Sequence, residues 1–172
     1  MKRIRNSMMF GMSILFSCLS LFGCGTESQS QKNWNYCNEI YMAFCNKNVE
    51  TIESFFCETT KKTHDLEKEI QEAFEIIDGE IVSYNKFSIS SGGEKVRDGE
   101  VVERHSSPDI EGIKTDTGKI YNIMINNREI CSENPEYEGF SVITIFEVAP
   151  DDPSDWTNLY EIGEYIDYKI SY

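Results

Sequence analysis

The order of periodicities in the sequence predicts an α+β domain: three helices, then a curved, mostly antiparallel sheet. Three observations carry this. From Trp34 to Ile77 apolar residues recur every three or four positions. From Glu80 the period changes to two. Finally, Gly-containing pairs such as Asp98-Gly99 punctuate the second half as hairpin turns do.

The first helix is read over Trp34 to Asn46, where Cys37, Ile40, Tyr41, Phe44 and Cys45 form one stripe. Asn48 caps a second, Val49 to Cys57, with Val49, Ile52, Phe55 and Phe56 inward. Thr63 or Asp65 caps a third, in which Leu66, Ile70, Phe74 and Ile77 recur at four, four and three. Asp78-Gly79 stops it, glycine being free to take the left-handed conformation.

Strands follow. Ile81 to Tyr84 begins the first, extended by Phe87 and Ile89; Ser90-Ser-Gly-Gly93 and Asp98-Gly99 read as turns. Val101 to Ser107 is a second strand and Ile110 to Thr115 a third. After Asp116-Thr-Gly118, Lys119 to Asn126 sets Tyr121, Ile123 and Ile125 on one face. An acidic loop, Ser132 to Glu138, leads to Phe140–Val148, apolar on both faces and therefore expected inside the sheet. Asp151 to Tyr172 is a tail apolar enough to dock, through Trp156, Tyr160, Ile162, Tyr165 and Ile166.

The amino terminus is separate from this domain. Lys2, Arg3 and Arg5 precede an uncharged run, Met8 to Phe22. That run is shorter than the roughly 20 residues a membrane span needs and fits a signal peptide over residues 1–23. Leu21-Phe22-Gly23-Cys24 resembles the lipobox of bacterial lipoproteins, in which the cysteine is acylated and the chain is cut just before it. Leu15-Phe16-Ser17-Cys18 is a second candidate, but cutting there would strand Leu19 to Phe22 on the product. Residues 24–33 then form a lipidated tether, and residues 34–172 the domain. Attachment through a diacylglyceryl or palmitate group on Cys24 places the domain on the extracytoplasmic face of the cell membrane.

Charge excludes one class of partner. The full chain of 172 residues carries a net −14. Loss of the first 23 residues, which hold three cations and no acid, leaves 149 residues at −17. No Lys/Arg cluster offsets this, so nucleic acid is repelled. A small ligand or an envelope protein remains as partner.

Phe74-Glu-Ile-Ile-Asp-Gly-Glu-Ile-Val-Ser-Tyr84 and Thr115-Asp-Thr-Gly-Lys-Ile-Tyr121, with the lipobox, resemble a lipoprotein family of low-GC Gram-positive bacteria, domain-of-unknown-function family 5104. The resemblance runs over about Asn35 to Ile166. It implies a cone-shaped fold like nuclear transport factor 2 and the cystatins, with a curved sheet wrapped against helices. It implies no activity.

Chemistry-bearing residues are few. Cys37, Cys45, Cys57 and Cys131 remain in the domain; outside the cell they are free to form disulfides. Cys37 and Cys45, eight residues apart on one helix, stand about 12 Å apart and cannot bridge each other. Cys37–Cys57 with Cys45–Cys131, Cys37–Cys131 with Cys45–Cys57, a single bond, or four buried thiols all stay open. No C-x₂-C pair points to zinc, and neither a metal nor a cofactor is expected. No G-x-S-x-G elbow is present, Ser91-Gly-Gly-Glu-Lys95 lacks the ending of a phosphate loop, and Asp151 to Asp155 lacks the distal ligands of a calcium loop. His64 sits where it can help cap the third helix. His105 with Asp109 or Tyr121 is the one acid–base set worth tracing. In a cone-shaped fold Tyr84, His105, Tyr121 and Phe146 could line a pocket, alongside Phe87 and Phe140. The sequence therefore points to a non-catalytic, membrane-anchored binding module; the alternative is a cone-fold enzyme with an acid–base site in the sheet cavity.

Overall fold

A computed structural model of the chain describes residues 28–166. The expected signal peptide and Cys24 lie outside the described residues, as does the end of the tail. Among the described residues four helices precede six antiparallel strands, with β1 and β2 on one side of β3 and the order continuing β4, β5, β6.

Helix α1 runs Gln29–Cys45. It starts five residues before Trp34, so the end of the expected tether is helical. The local reason is Ser28, whose hydroxyl accepts the Gln31 amide at 3.2 Å and caps the first turn. The buried stripe is Asn33, Cys37, Ile40, Ala43 and Phe44. The expected second helix, Val49 to Cys57, ends at Ser54, and an unexpected short helix follows it. Helix α2, Val49–Ser54, is capped by Asn48 through the Thr51 amide at 3.0 Å. The chain then leaves the helix so that Phe55 to Cys57 can lie along the sheet. There the Phe140 amide donates to Phe55 O at 2.8 Å and the Cys57 amide to Phe140 O at 2.9 Å. Stacking of Phe55 on Phe140, ring centres 5.1 Å apart, fixes the exit. Helix α3, Glu58–Thr63, follows. Helix α4, Leu66–Ile76, uses Asp65 rather than Thr63 as its cap.

The strands are β1 Ile81–Ser83, β2 Lys86–Arg97, β3 Glu100–Thr115, β4 Ile120–Cys131, β5 Gly139–Ala149 and β6 Asp152–Gly163, with a 3-10 turn at Pro135–Tyr137. Two expected breaks are absent. Ser90 to Gly93, read as a turn, is the middle of β2, and Pro108 does not divide β3. One irregularity explains both. The register slips between Ile89↔Pro108 and Ser91↔Ser107, leaving Ser90 as the extra residue of a bulge beside the proline. A bulge absorbs a residue that cannot donate a ladder hydrogen bond. The reversal falls to Asp98 and Gly99, both at positive φ. The tail supplies β6, so Pro150 to Pro153 lies at the reversal between β5 and β6 and β5 is interior to the sheet, as its two apolar faces require.

The core is built of isoleucines. Ile123 pairs with Ile145, and Ile125 with Ile143 and through it Ile162, all wholly buried beneath Ile40, Ile52 and Ile70. Phe44 meets Phe74 edge-on. Helix α4 closes the β6 side: Glu69 accepts the Gly163 amide at 2.8 Å, and Glu72 accepts the Tyr160 hydroxyl at 2.7 Å.

Candidate functional site: a polar cleft between helix α1 and strands β2–β3

Three buried stripes change chemistry at one level of the molecule. On α1 the stripe Phe44, Ile40, Cys37 continues toward the amino terminus as Asn33, only 2% exposed. On β3 the inward series Ile110, Pro108 continues as Ser106. On β4 Ile123 and Ile125 give way to Asn127, which lies opposite both Ser106 and Phe140. Strand alternation would turn Glu129 inward and Arg128 outward. Between Glu103↔Cys131 and His105↔Arg128, β4 holds one residue more than β3, a second bulge beside Glu129.

These four groups form a polar floor, in which Asn33, Ser106 and Glu129 are linked by hydrogen bonds. Ser106 Oγ donates its one proton toward Glu129 Oε1 at 2.9 Å and Asn33 Oδ1 at 3.1 Å. Gln29 Nε2 also donates to Glu129 Oε1. Two buried side-chain atoms have no hydrogen-bond partner among the described residues: Asn127 Nδ2 and Glu129 Oε2. A buried polar atom without a partner costs free energy of about 1–3 kcal/mol, so the fold keeps these two at a loss.

Over the floor opens a cleft of about 500 Å³. Gln29, Lys32 and Asn33 form the helix side; Gly92, Gly93 and Glu94 of β2 and Arg104, His105 and Ser106 of β3 form the other. The two glycines matter for close approach. A β-carbon on Gly93 would sit 3.1 Å from His105 Cε1, so glycine lets the imidazole approach β2 closely. Arg104 donates through Nε and Nη2 to Glu94 Oε2, at 3.2 and 3.1 Å. Lys32 and His105 have no ion pair among the described residues. A smaller hollow on the same flank shares Asn33 and Ile89 with this cleft and is lined by Trp34 and Phe87.

The residues expected to line one pocket are distributed over three places. His105 borders the cleft just described. Tyr84 stacks on Phe87 at 4.4 Å and lines a second cleft of about 410 Å³, with Trp156, Lys114 and Asn122. Tyr121 is 1% exposed, its hydroxyl accepting the Asp78 amide at 3.0 Å. Phe146 contacts Trp156. The reason is that the helices fill the inner face with isoleucine and phenylalanine, and both clefts lie beside that packed core.

The acid–base set is likewise not assembled. Asp109 lies on the face of β3 opposite Ile110, where burial pushes its carboxyl up to about 6 against a hydrogen bond from Ser90. His105 and Ser106 are consecutive strand residues and point to opposite faces, so the ring cannot serve as base to that hydroxyl. His64 pairs with Glu69 at 2.9 Å, tying the end of α3 to α4. All four domain cysteines are free thiols; Cys37, Cys57 and Cys131 are buried. Burial and the nearby Asp109 carboxylate push the Cys37 thiol up to about 12.

Gln29, Lys32, Asn33, Arg104, Ser106 and Glu129 were not legible as a site in the sequence. The signal that could have found them is a polar residue continuing an apolar stripe, as Asn33 does four positions before Cys37. A family model described as a domain of unknown function (DUF5104) matches residues 39–148. That span holds α2 to α4, β1 to β4 and nearly all of β5, with the β2–β3 side of the cleft; Gln29, Lys32 and Asn33 precede it. No curated protein matches the chain.

Proposed function

The chain belongs to domain-of-unknown-function family 5104, and on that premise we propose that it is an extracytoplasmic lipoprotein, anchored through acylated Cys24, whose cone-like, nuclear transport factor 2-type domain binds a small polar ligand without catalysis. The observation that carries the binding role is the convergence of three buried stripes on Asn33, Ser106, Asn127 and Glu129, of which Asn33 and Ser106 line an open cleft, with two hydrogen-bonding atoms left over among the described residues. A ligand hydroxyl, which both donates and accepts, matches the Asn33 amide and the Ser106 hydroxyl that line the cleft. Separation of His105, Asp109 and Tyr121 speaks against acid–base catalysis. The anchor is supported by the lipobox; the acidic composition requires that any attachment to an anionic surface be hydrophobic or covalent.

Two experiments test this. Metabolic labelling with a palmitate analogue should mark the wild type and not Cys24→Ala; label that survives the substitution refutes the anchor. Thermal-shift screening of the full chain in neutral detergent against polyols, sugars and phosphate esters should give stabilisation that Ser106→Ala and Asn33→Ala remove. Stabilisation by none of them refutes the cleft as a binding site.

A further inference from the structure

The cleft combines features that together specify a ligand class. Its floor is uncharged at the surface, offering the Asn33 amide and the Ser106 hydroxyl, with the Glu129 carboxylate one layer below. Cations stand at its rim: Lys32 on one side and Arg104 on the other, the latter with Nη1 free of the Glu94 contact. Beside the rim two large apolar side chains face outward, Trp34 and Ile89, each 48% exposed. Hydroxyls would satisfy the floor, a phosphodiester the rim, and an apolar neighbour the exposed pair.

Position supplies the source. The cap of α1, Ser28, is four residues from Cys24, at most roughly 14 Å of extended chain. This step rests on the anchoring proposed above: an acylated Cys24 would hold the first turn of α1, and so the Lys32 side of the cleft, at headgroup depth. Tryptophan and lysine are the residue types that settle at that interface.

We infer that the cleft between α1 and the β2–β3 hairpin binds the glycerol phosphodiester headgroup of an anionic membrane lipid. The glycerol hydroxyls reach Asn33 and Ser106, and the phosphate sits between Lys32 and Arg104. The acidic domain is thereby seated on the bilayer in one orientation, with Trp34 and Ile89 at the interface.

The two tryptophans make the test internally controlled, since Trp34 flanks this cleft and Trp156 the other. The full chain in a neutral maltoside detergent is titrated with dihexanoyl-phosphatidylglycerol, dihexanoyl-phosphatidylcholine or glycerol 3-phosphate while both indole N–H resonances are followed. Phosphatidylglycerol should shift Trp34 saturably and leave Trp156 in place, with the other two probes weaker. Lys32→Ala and Arg104→Ala should each weaken binding about fivefold, as loss of one interfacial cation does. Lys62→Ala, the same charge change on α3, should not. The variants should keep the wild-type circular dichroism and melting temperature.

Equal shifts with phosphatidylcholine, equal affinity for glycerol 3-phosphate, or equal loss in Lys62→Ala would each overturn the inference. The palmitate experiment separates it from the anchor. Label on Cys24 with no Trp34 shift sinks the headgroup and leaves the anchor standing. A Trp34 shift without label sinks the anchor and leaves the cleft's ligand class standing.

Discussion

The two halves of α1 lie over the same sheet and meet opposite chemistry. From Cys37 to Phe44 the helix buries apolar side chains on isoleucines, and close packing leaves little room for anything else. From Gln29 to Asn33 it covers serine, asparagine and glutamate, with a cleft alongside and two polar atoms unpartnered. The first arrangement stabilises the fold; the second detracts from it. A protein keeps a destabilising cluster where function requires it, and that contrast locates the site more sharply than cavity size, since the second cleft is nearly as large.

Breaking the apolar end should have the largest effect. Phe140 is 1% exposed and touches Tyr36, Phe55 and Phe56, so Phe140→Ala should cost about 3–5 kcal/mol in urea unfolding. It should also loosen the Phe55–Cys57 segment, visible as faster amide exchange at Cys57. A loss under about 1 kcal/mol would mean the aromatic cluster is not part of the core's packing.

The next effect is electrostatic and depends on pH. Burial raises the Asp109 carboxyl to about 6, while in the unfolded chain it titrates near 3.9. Between those values the folded state holds a proton that the unfolded state has released. Asp109 therefore favours folding at low pH, and this contribution falls as pH rises from about 4 to about 6, a change of up to roughly 3 kcal/mol. Asp109→Asn should raise stability at pH 7 and flatten the profile over that window. An unchanged profile in the variant would place the titration elsewhere.

At the polar end the expected effect is again a gain in stability. Asn127 is 3% exposed and its Nδ2 lacks a partner among the described residues, so Asn127→Leu should stabilise the fold by about 1 kcal/mol. If the leucine variant is less stable than wild type, an ordered water already satisfies the amide and the floor is not held at a loss.

The smallest effect is a ranking. Of the four domain cysteines, iodoacetamide should modify half-buried Cys45 first in the folded protein, with Cys37, held as a buried thiol, among the last. Mass spectrometry of the time course reads the order. Early labelling of Cys37 would mean that the polar end of α1 opens readily.

The sequence determined the order of elements, the core faces of α1 and α4, and the hairpin at Asp98-Gly99, because these follow from side-chain period and from backbone torsions that only certain residues adopt. Burial of Ile40, Ile70, Ile123 and Ile125 needed no tertiary information. The tertiary structure alone decided that Ser90 to Gly93 would be strand and not turn, that Val49 to Cys57 would break after Ser54, and that β6 would form from the tail. Each of these depends on a partner distant in the chain: Pro108 and Ser107, Phe140, and β5. The site belongs to the second group. Asn33, Ser106, Asn127 and Glu129 each look like an ordinary surface polar residue in its own segment; they become a floor only when α1 crosses β3 and β4, because hydrogen bonds between residues 23 and 73 positions apart have no local signature.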